Sequence, residues 1–213
     1  MRRRPIKARK KRSVKKKLVF FVDGDTEKWY LDSLKGFERL DIDIAPRLPT
    51  KKTLKDIAQE LSEICQEADA KLGDKVIWIV DLDVPYKEAR EGNNPKALND
   101  YKRIKTSLLA DFPEVFEIWE NFPCLEFWLL LHYKQTQRCY LSYNDLLPDL
   151  KKHLVDYKKT ENYYKSSKKG AANLYALLKP NQKAAYDSAK LLKKVNEPDA
   201  AADIYKLIDL VGL

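Results

Sequence analysis

The chain is poor in glycine, in cysteine and in long hydrophobic runs. Only 6 of its 213 residues are glycine, which argues against a turn-dense all-β sandwich. Its longest apolar runs span five residues, whereas a transmembrane helix needs about 20, so we expect no membrane span. Three cysteines, Cys65, Cys124 and Cys139, have no CxxC or metal-like spacing, and the basic start is not followed by the longer apolar h-region of a signal peptide. These features predict a reducing compartment and a cytoplasmic protein.

The positive charge is concentrated at the beginning of the chain. Residues 1–17 contain 11 of the 41 Lys and Arg residues and no acidic residue, so the rest has 30 basic and 32 acidic residues. The net charge of +9 is therefore a property of this segment, which we interpret as a disordered basic arm. Such an arm contacts polyanions through sequence-independent, salt-sensitive binding, or only adds solubility.

Apolar patterning predicts an α/β fold. The runs at residues 18–22 and 76–80 have the continuous apolar character of strands buried on both faces. Further strands are predicted within residues 42–48 and 114–119, and helical spacing separates the strands. This alternation predicts a doubly wound, mainly parallel four-stranded sheet.

Residues after position 141 show helical patterns only, which predicts a C-terminal helical appendage beside the sheet. The predicted organisation is therefore a basic arm over residues 1–17, an α/β core over residues 18–140 and a helical subdomain over residues 141–213. Within the core, residues 85–95 are predicted to form a polar loop.

Acidic residues follow two of the predicted strands. Asp23 ends the first apolar run, and Asp81 and Asp83 end the run at residues 76–80. The carboxyl ends of parallel strands meet at one edge of a sheet, where binding sites form. Carboxylates about 5 Å apart repel by about 3 kcal/mol per pair at an effective dielectric of 20, and Mg²⁺ or Mn²⁺ removes that cost. Asp at a strand end also serves as an ordinary turn former or helix cap.

Three stretches resemble the RloB-like family, whose core is similar to the Toprim fold. Residues 22–30 (VDGDTEKWY) resemble a family motif E-G-x-T-E-x-x-Y, and residues 80–83 (VDLD) resemble the D-x-D motif of Toprim domains. The most specific stretch is residues 123–133 (PCLEFWLLLHY), similar to P-C-F-E-x-W-L-L-L-H-F. Two positions depart from the family pattern: Asp23 stands where Glu is usual, and Phe122 where Asn is usual.

The resemblance implies a Toprim-like core and a metal-dependent nuclease that cleaves DNA or RNA with Mg²⁺ or Mn²⁺. In that scheme Asp81 and Asp83 hold the ion, and Asp23 is a ligand or general base. Glu126 is interpreted as a fourth acidic group near the ion or as the partner of a basic residue. Asp25 and Glu27 could compensate for the shorter Asp23, and His132 could orient a phosphate or a proton. Each residue also has a purely structural interpretation. Glu126 would be a charge at a helix N-terminus, His132 a hydrogen-bonded histidine at a helix end, and Cys124 a small buried residue.

Two sets of cations are candidates for nucleic-acid binding. The segment at residues 157–165 interleaves tyrosines with lysines. This pattern is typical of a nucleic-acid surface, where bases stack on the rings and lysines neutralise phosphates. It is equally typical of an ordinary protein surface on which lysine side chains extend into solvent. The candidate nucleic-acid-binding residues are Arg2, Arg3, Arg4, Lys10, Lys11, Arg12, Lys15, Lys16, Lys17, Lys158, Lys159 and Lys165.

The family resemblance also implies a role in bacterial phage defence by abortive infection, with a partner ATPase of the ABC or AAA kind. The chain has no GxxxxGK[ST] motif, so any nucleotide-driven step falls to that partner. The alternative is a catalytically degenerate subunit that binds nucleic acid and presents it to the ATPase, because Asp23 is one methylene shorter than the usual Glu.

Overall fold

A computed structural model describes residues 15–22, 24–46, 53–91, 95–165, 173–192 and 199–213. Its centre is a five-stranded sheet in the order β2-β1-β3-β4-β5. Strands β1 to β4 are mutually parallel, and β5 pairs antiparallel with β4. The strands are β1 (Leu18–Val22), β2 (Asp43–Ala45), β3 (Lys75–Asp81), β4 (Phe116–Phe122) and β5 (Ala201–Ala202).

Ten α-helices accompany the sheet in the described residues. They are α1 (Asp25–Glu38), α2 (Leu54–Glu67), α3 (Asp83–Glu91), α4 (Lys96–Asp111), α5 (Leu125–Leu131), α6 (Tyr143–Lys151), α7 (Glu161–Lys165), α8 (Leu174–Leu178), α9 (Gln182–Lys190) and α10 (Lys206–Val211). None of the helices in these described ranges is both long and apolar enough to cross a membrane.

Helices cover both faces of the sheet, as the continuous apolar runs predict. Alternate residues of β1 point to opposite sides, so Phe20 joins one hydrophobic cluster and Phe21 the other. The cluster around Phe21 includes residues of α2 and α4. The cluster around Phe20 includes residues of α1, α5, α6 and the later helices, so the C-terminal helices share a core with the sheet.

Helix α2 shows how local sequence sets an element's start. The Thr53 side chain accepts from the Asp56 N–H, and Asp56 accepts from the Thr53 N–H, which forms a capping box. The apolar face of α2 places Ile57, Leu61 and Cys65 in the core, so this helix lies over one face of β1 and β3.

The structure confirms the α/β fold and the mainly parallel sheet, and it corrects three details. The sheet has five described strands instead of four, because β5 adds to the edge of β4. The segment after residue 141 is therefore not helical throughout. Residues 83–91 form α3 instead of a polar loop, since Pro85 lies in the first turn, where its missing N–H costs nothing. The division at residues 17 and 140 stays a prediction.

Candidate functional site

The candidate site lies where the chain changes direction across the sheet. From β1 the chain passes through α1 to β2 on one side, and then through α2 to β3 on the other side of β1. This order makes the carboxyl ends of β1 and β3 a topological switch point, the place where open α/β sheets form ligand crevices. Gly24 and the first turn of α1 follow β1, while Asp81 is the last residue of β3.

Glu27 and Asp81 form a hydrogen-bonded pair of carboxyl groups at this edge. Burial raises the pKa of Asp81 well above its ordinary value, and the carboxylates of Glu27 and Glu126 raise it further. Burial also raises the pKa of Glu27, although its hydrogen bond with Asp81 opposes that rise. The pKa of Asp81 is raised because two carboxylates this close are costly to ionise together.

Asp81 is held by groups from the neighbouring strand and helix. The amide Nδ2 of Asn121, its partner in the β3–β4 register, donates to Oδ1 at 3.2 Å. The backbone N–H of Leu125 donates to Oδ2 at 3.1 Å. Asn121 is fully buried, so the Asp81 carboxyl group has a fixed orientation at the end of β3.

Glu126, in the first turn of α5, is fully buried beside this pair. Its Oε1 accepts from the Tyr157 hydroxyl at 2.6 Å and lies 3.0 Å from the Lys159 ammonium. Its Oε2 is buried and accepts no hydrogen bond from the described residues. Lys159 also lies over the Tyr143 ring at 4.2 Å. Burial opposes the charge of Lys159, but the Glu126 carboxylate raises its pKa overall.

Cys124 completes a compact group with two of these acids. Its thiol and one carboxylate oxygen each of Asp81 and Glu126 lie within 4.8 Å of one another. Burial, followed by the charges of Glu126 and Asp81, raises the pKa of the Cys124 thiol well above its ordinary value. The residue therefore carries a proton at neutral pH while no cation replaces it.

Asp83 lies next to this group, at the start of α3. Its carboxylate accepts from the N–H groups of Val84 and Tyr143, so it ties the β3 edge to the beginning of α6. Burial raises its pKa, and the backbone donors oppose that rise.

A cavity of about 900 Å³ opens onto the acidic group. Its polar lining residues are Glu27, Asp81, Asp83, Cys124 and Lys159. Aromatic side chains also line it, among them Phe21, Trp78 and Tyr101. The Nε1 of Trp78 is buried without a hydrogen-bond partner among the described residues. This combination of an apolar wall and a few convergent polar groups is typical of small-ligand pockets.

The structure brings together only part of the predicted catalytic set. Asp81, Asp83 and Glu126 lie at this edge of the sheet, while Asp23 lies outside the described residues. Asp25 is exposed at the start of α1 and does not line the cavity. Glu27, predicted only as a supporting residue, is the group that pairs with Asp81.

His132 is a buried, hydrogen-bonded residue at the end of α5. It is 3 % exposed, and its Nδ1 lies 2.9 Å from the Trp128 carbonyl oxygen, one helical turn earlier. It lies six residues after Glu126, or about 9 Å along a helix axis, and borders a separate cavity of about 280 Å³. Burial lowers its pKa to about 4. It has no contact with the acidic group among the described residues.

The candidate nucleic-acid cations fall into three groups. Arg2, Arg3, Arg4, Lys10, Lys11 and Arg12 lie outside the described residues. Lys15, Lys16, Lys17 and Lys158 are exposed, and Lys15 pairs with Asp41. Lys159 and Lys165 form ion pairs within the protein, the first with Glu126 and the second with Asp32 and Glu161.

Tyr157 and Tyr164 are not exposed stacking surfaces. Both are buried, and their hydroxyl oxygens lie 2.7 Å apart behind Glu126. The sequence interpretation missed this role for Tyr157 and the role of Asn121. A polar side chain at an inward strand position was the available signal for Asn121, but no local signal links Tyr157 to Glu126, which lies 31 residues away.

The oxygen donors at this edge fit a hard divalent cation. Glu27 and Asp81 are neighbouring carboxyl groups whose repulsion a cation would relieve, and Glu126 has a buried oxygen without a partner among the described residues. Mg²⁺ and Mn²⁺ are bound by oxygen ligands of this kind. The Cys124 thiol is not a ligand that either ion prefers.

Comparison with known families agrees with the motif resemblance. A family model described as RloB-like protein matches residues 18–211, nearly the whole chain. The chain therefore belongs to the RloB-like family. No curated protein and no solved structure matches it.

Proposed function

From its membership of the RloB-like family, we propose that this protein is a metal-dependent nuclease with a Toprim-like core. The observation that carries the proposal is the group of carboxyl side chains at the switch point, with a buried oxygen of Glu126 that has no described partner. One carboxylate oxygen each of Asp81 and Glu126 lie within 4.8 Å, which costs about 3 kcal/mol when both are charged. A binding cation would remove that cost.

Glu27, Asp81 and Glu126 would hold Mg²⁺ or Mn²⁺, with Asp83 at the rim and Asp23 as a further candidate. The bound ion would neutralise phosphate charge and lower the pKa of a coordinated water. The residues themselves orient the site: Asn121 and the Leu125 N–H fix Asp81.

The chemistry of the cavity lining is consistent with a substrate that contains nucleotide units. Its acidic residues would face a cation-bound phosphate, and its aromatic residues offer apolar contacts for a base or a sugar. Lys16, Lys17 and Lys158 are exposed cations that could neutralise backbone phosphates. The basic residues of the arm belong to the same proposal.

A partner ATPase of the ABC or AAA kind and a role in phage defence also belong to the proposal. They rest on the family resemblance, and the missing Walker motif means that ATP-driven control would come from the partner.

The test is cleavage of end-labelled single-stranded DNA, duplex DNA, RNA and tRNA with Mg²⁺ or Mn²⁺. We expect Asp81→Asn and Glu126→Gln to reduce cleavage by at least 100-fold, while Glu114→Gln keeps the wild-type rate. Glu114 is an exposed acidic residue before β4, at the opposite end of the strand from the site. Equal cleavage by wild type and Asp81→Asn would remove the nuclease assignment.

A second candidate is a degenerate nucleic-acid-binding subunit. The observation that favours it is the Lys159 ammonium, 3.0 Å from Glu126 Oε1, which already neutralises part of the acidic group. Isothermal titration with Mn²⁺ separates the two candidates. The nuclease requires saturable binding that Asp81→Asn removes. Salt-sensitive nucleic-acid binding without any Mn²⁺ binding would favour the second candidate.

A further inference from the structure

Cys124 occupies an unusual position for a buried thiol. It precedes α5 as the N-cap residue, is 2 % exposed and lies within 4.8 Å of carboxylate oxygens from Asp81 and Glu126. Free cysteines in protein interiors usually pack as small apolar groups, whereas this one borders two acids and the large cavity. The nuclease proposed above gives the thiol no role.

A second observation at the same place points to a ligand. Glu126 is fully buried, and its Oε2 accepts no hydrogen bond from the described residues, although Oε1 is bound by Tyr157 and Lys159. An unsatisfied buried carboxylate oxygen is costly, by about 1–3 kcal/mol or more. A cation that contacts it would remove this cost.

We propose that Asp81, Cys124 and Glu126 form a binding site for a thiophilic divalent ion of the Zn²⁺ class. The sulfur ligand decides the class of ion, because thiolates select Zn²⁺ and related transition metals over Mg²⁺. Three protein ligands with a fourth position towards a cavity is the arrangement of zinc sites with an open position.

The geometry requires only a small adjustment. With Zn–S at about 2.3 Å and Zn–O at about 2.0 Å, tetrahedral ligands lie about 3.5 Å apart. The three donor atoms lie within 4.8 Å of one another without an ion, so each needs to move by about 1 Å at most.

The charges of the ligands and the hydrogen bonds that hold Asp81 are also consistent with Zn²⁺. A thiolate and two carboxylates carry three negative charges, which Zn²⁺ and the Lys159 ammonium offset, and Glu27 beside Asp81 adds a fourth acidic group. Asn121 and the Leu125 N–H hold Asp81, so the carboxylate has the outer hydrogen bonds that orient metal ligands. Because Asp81 and Cys124 line the cavity, an ion can reach them from it.

The site has a regulatory consequence that rests on the proposed nuclease function. Zn²⁺ would occupy two of the carboxylates assigned to Mg²⁺ or Mn²⁺. We therefore expect Zn²⁺ to inhibit cleavage competitively with Mn²⁺, and Cys124→Ser to relieve that inhibition.

The binding test uses Co²⁺ as a spectroscopic probe on the full-length protein. We expect a near-ultraviolet sulfur-to-cobalt charge-transfer band that Zn²⁺ abolishes by displacement. Cys124→Ser and Cys124→Ala should lose the band and bind Co²⁺ at least tenfold more weakly. Cys139→Ser, which changes an exposed cysteine, should keep both.

Three outcomes would overturn the proposal: no charge-transfer band at saturating Co²⁺, a band that Zn²⁺ does not displace, or a band that persists in both Cys124 variants. The wild-type spectrum decides the first two even if the Cys124 variants fold poorly. The spectrum does not depend on cleavage. A protein with the expected band but no nuclease activity would retain the Zn²⁺ site and lose the proposed function.

Discussion

Gly24→Ala should disable the site with little change elsewhere. Gly24 has φ −118° and ψ 154°, an extended conformation that alanine adopts without strain. A Cβ at this position would lie 2.1 Å from Oε2 of Glu27. Since nonbonded carbon and oxygen atoms need roughly 3.2 Å, the Glu27 carboxylate must retreat by about 1 Å. It would then lose its hydrogen-bonded position beside Asp81.

The magnitude follows from the function assigned to Glu27. Loss of even an outer hydrogen-bond partner of a metal ligand typically costs 10–100-fold in metal affinity, or roughly 1.4–2.7 kcal/mol, and Glu27 is proposed as a ligand itself. A displacement of about 1 Å at a reacting centre can cost on the order of 100-fold in rate. We therefore expect Gly24→Ala to weaken Mn²⁺ binding by 10–100-fold and to reduce cleavage by about 100-fold.

Gly36 provides a matched control in the same helix. It lies within α1, and a Cβ there would meet nothing within 4 Å. Gly36→Ala should therefore leave Mn²⁺ binding unchanged and stabilise the protein by about 0.5–1 kcal/mol. Isothermal titration measures the affinity, and urea unfolding measures the stability. Wild-type Mn²⁺ affinity in Gly24→Ala would show that Glu27 is not part of the metal site.

Three further substitutions test the fold and the network around the site. Thr53→Ala removes the capping box of α2 and should lower the free energy of unfolding by about 1 kcal/mol in urea titrations; an unchanged midpoint would contradict the capping role. Because burial lowers the pKa of His132 to about 4, the unfolded chain binds a proton below pH 6.5 that the folded protein does not. Stability should thus fall by about 2–3 kcal/mol between pH 7 and pH 4.5 from this group, and His132→Gln should lose that part of the pH dependence. Tyr157→Phe removes a hydrogen bond to Glu126 and should lower stability by about 1–3 kcal/mol and Mn²⁺ affinity by 10–100-fold, whereas Tyr163→Phe, at a half-buried ring, serves as its control.

Burial on both faces made the central strands predictable. A strand covered by helices on each side carries apolar residues at every position, so residues 18–22 and 76–80 were recognisable, and the structure places β1 and β3 there. Strand β5 has two alanines and no periodicity. Strand β5 pairs with β4 because the C-terminal segment returns to that edge of the sheet. Local sequence patterns do not encode this return.

In the candidate site, too, local sequence signals were predictable and long-range contacts were not. Asp81 was predictable because a carboxylate at the end of a buried strand has a position that sequence alone reveals. The pairing of Glu27 with Asp81 depends on how α1 leaves β1, and the support of Glu126 comes from Tyr157 and Lys159 in a later segment. Interleaved tyrosines and lysines suggested a nucleic-acid surface, but the fold buries Tyr157 to satisfy a carboxylate.

A purely structural explanation of the acidic group is difficult to reconcile with its energetics. Replacing buried charged groups by well-packed apolar ones is often neutral or stabilising, yet this fold holds Glu27, Asp81 and Glu126 together at an edge that opens onto a cavity. It supplies donors to Asp81 and to one oxygen of Glu126, and leaves Oε2 without a described partner. A network that served stability alone would satisfy that oxygen as well, since a partly satisfied buried network is less stable than an apolar core. The unsatisfied oxygen, beside Asp81 and the Cys124 thiol, therefore supports the proposal that a cation binds here.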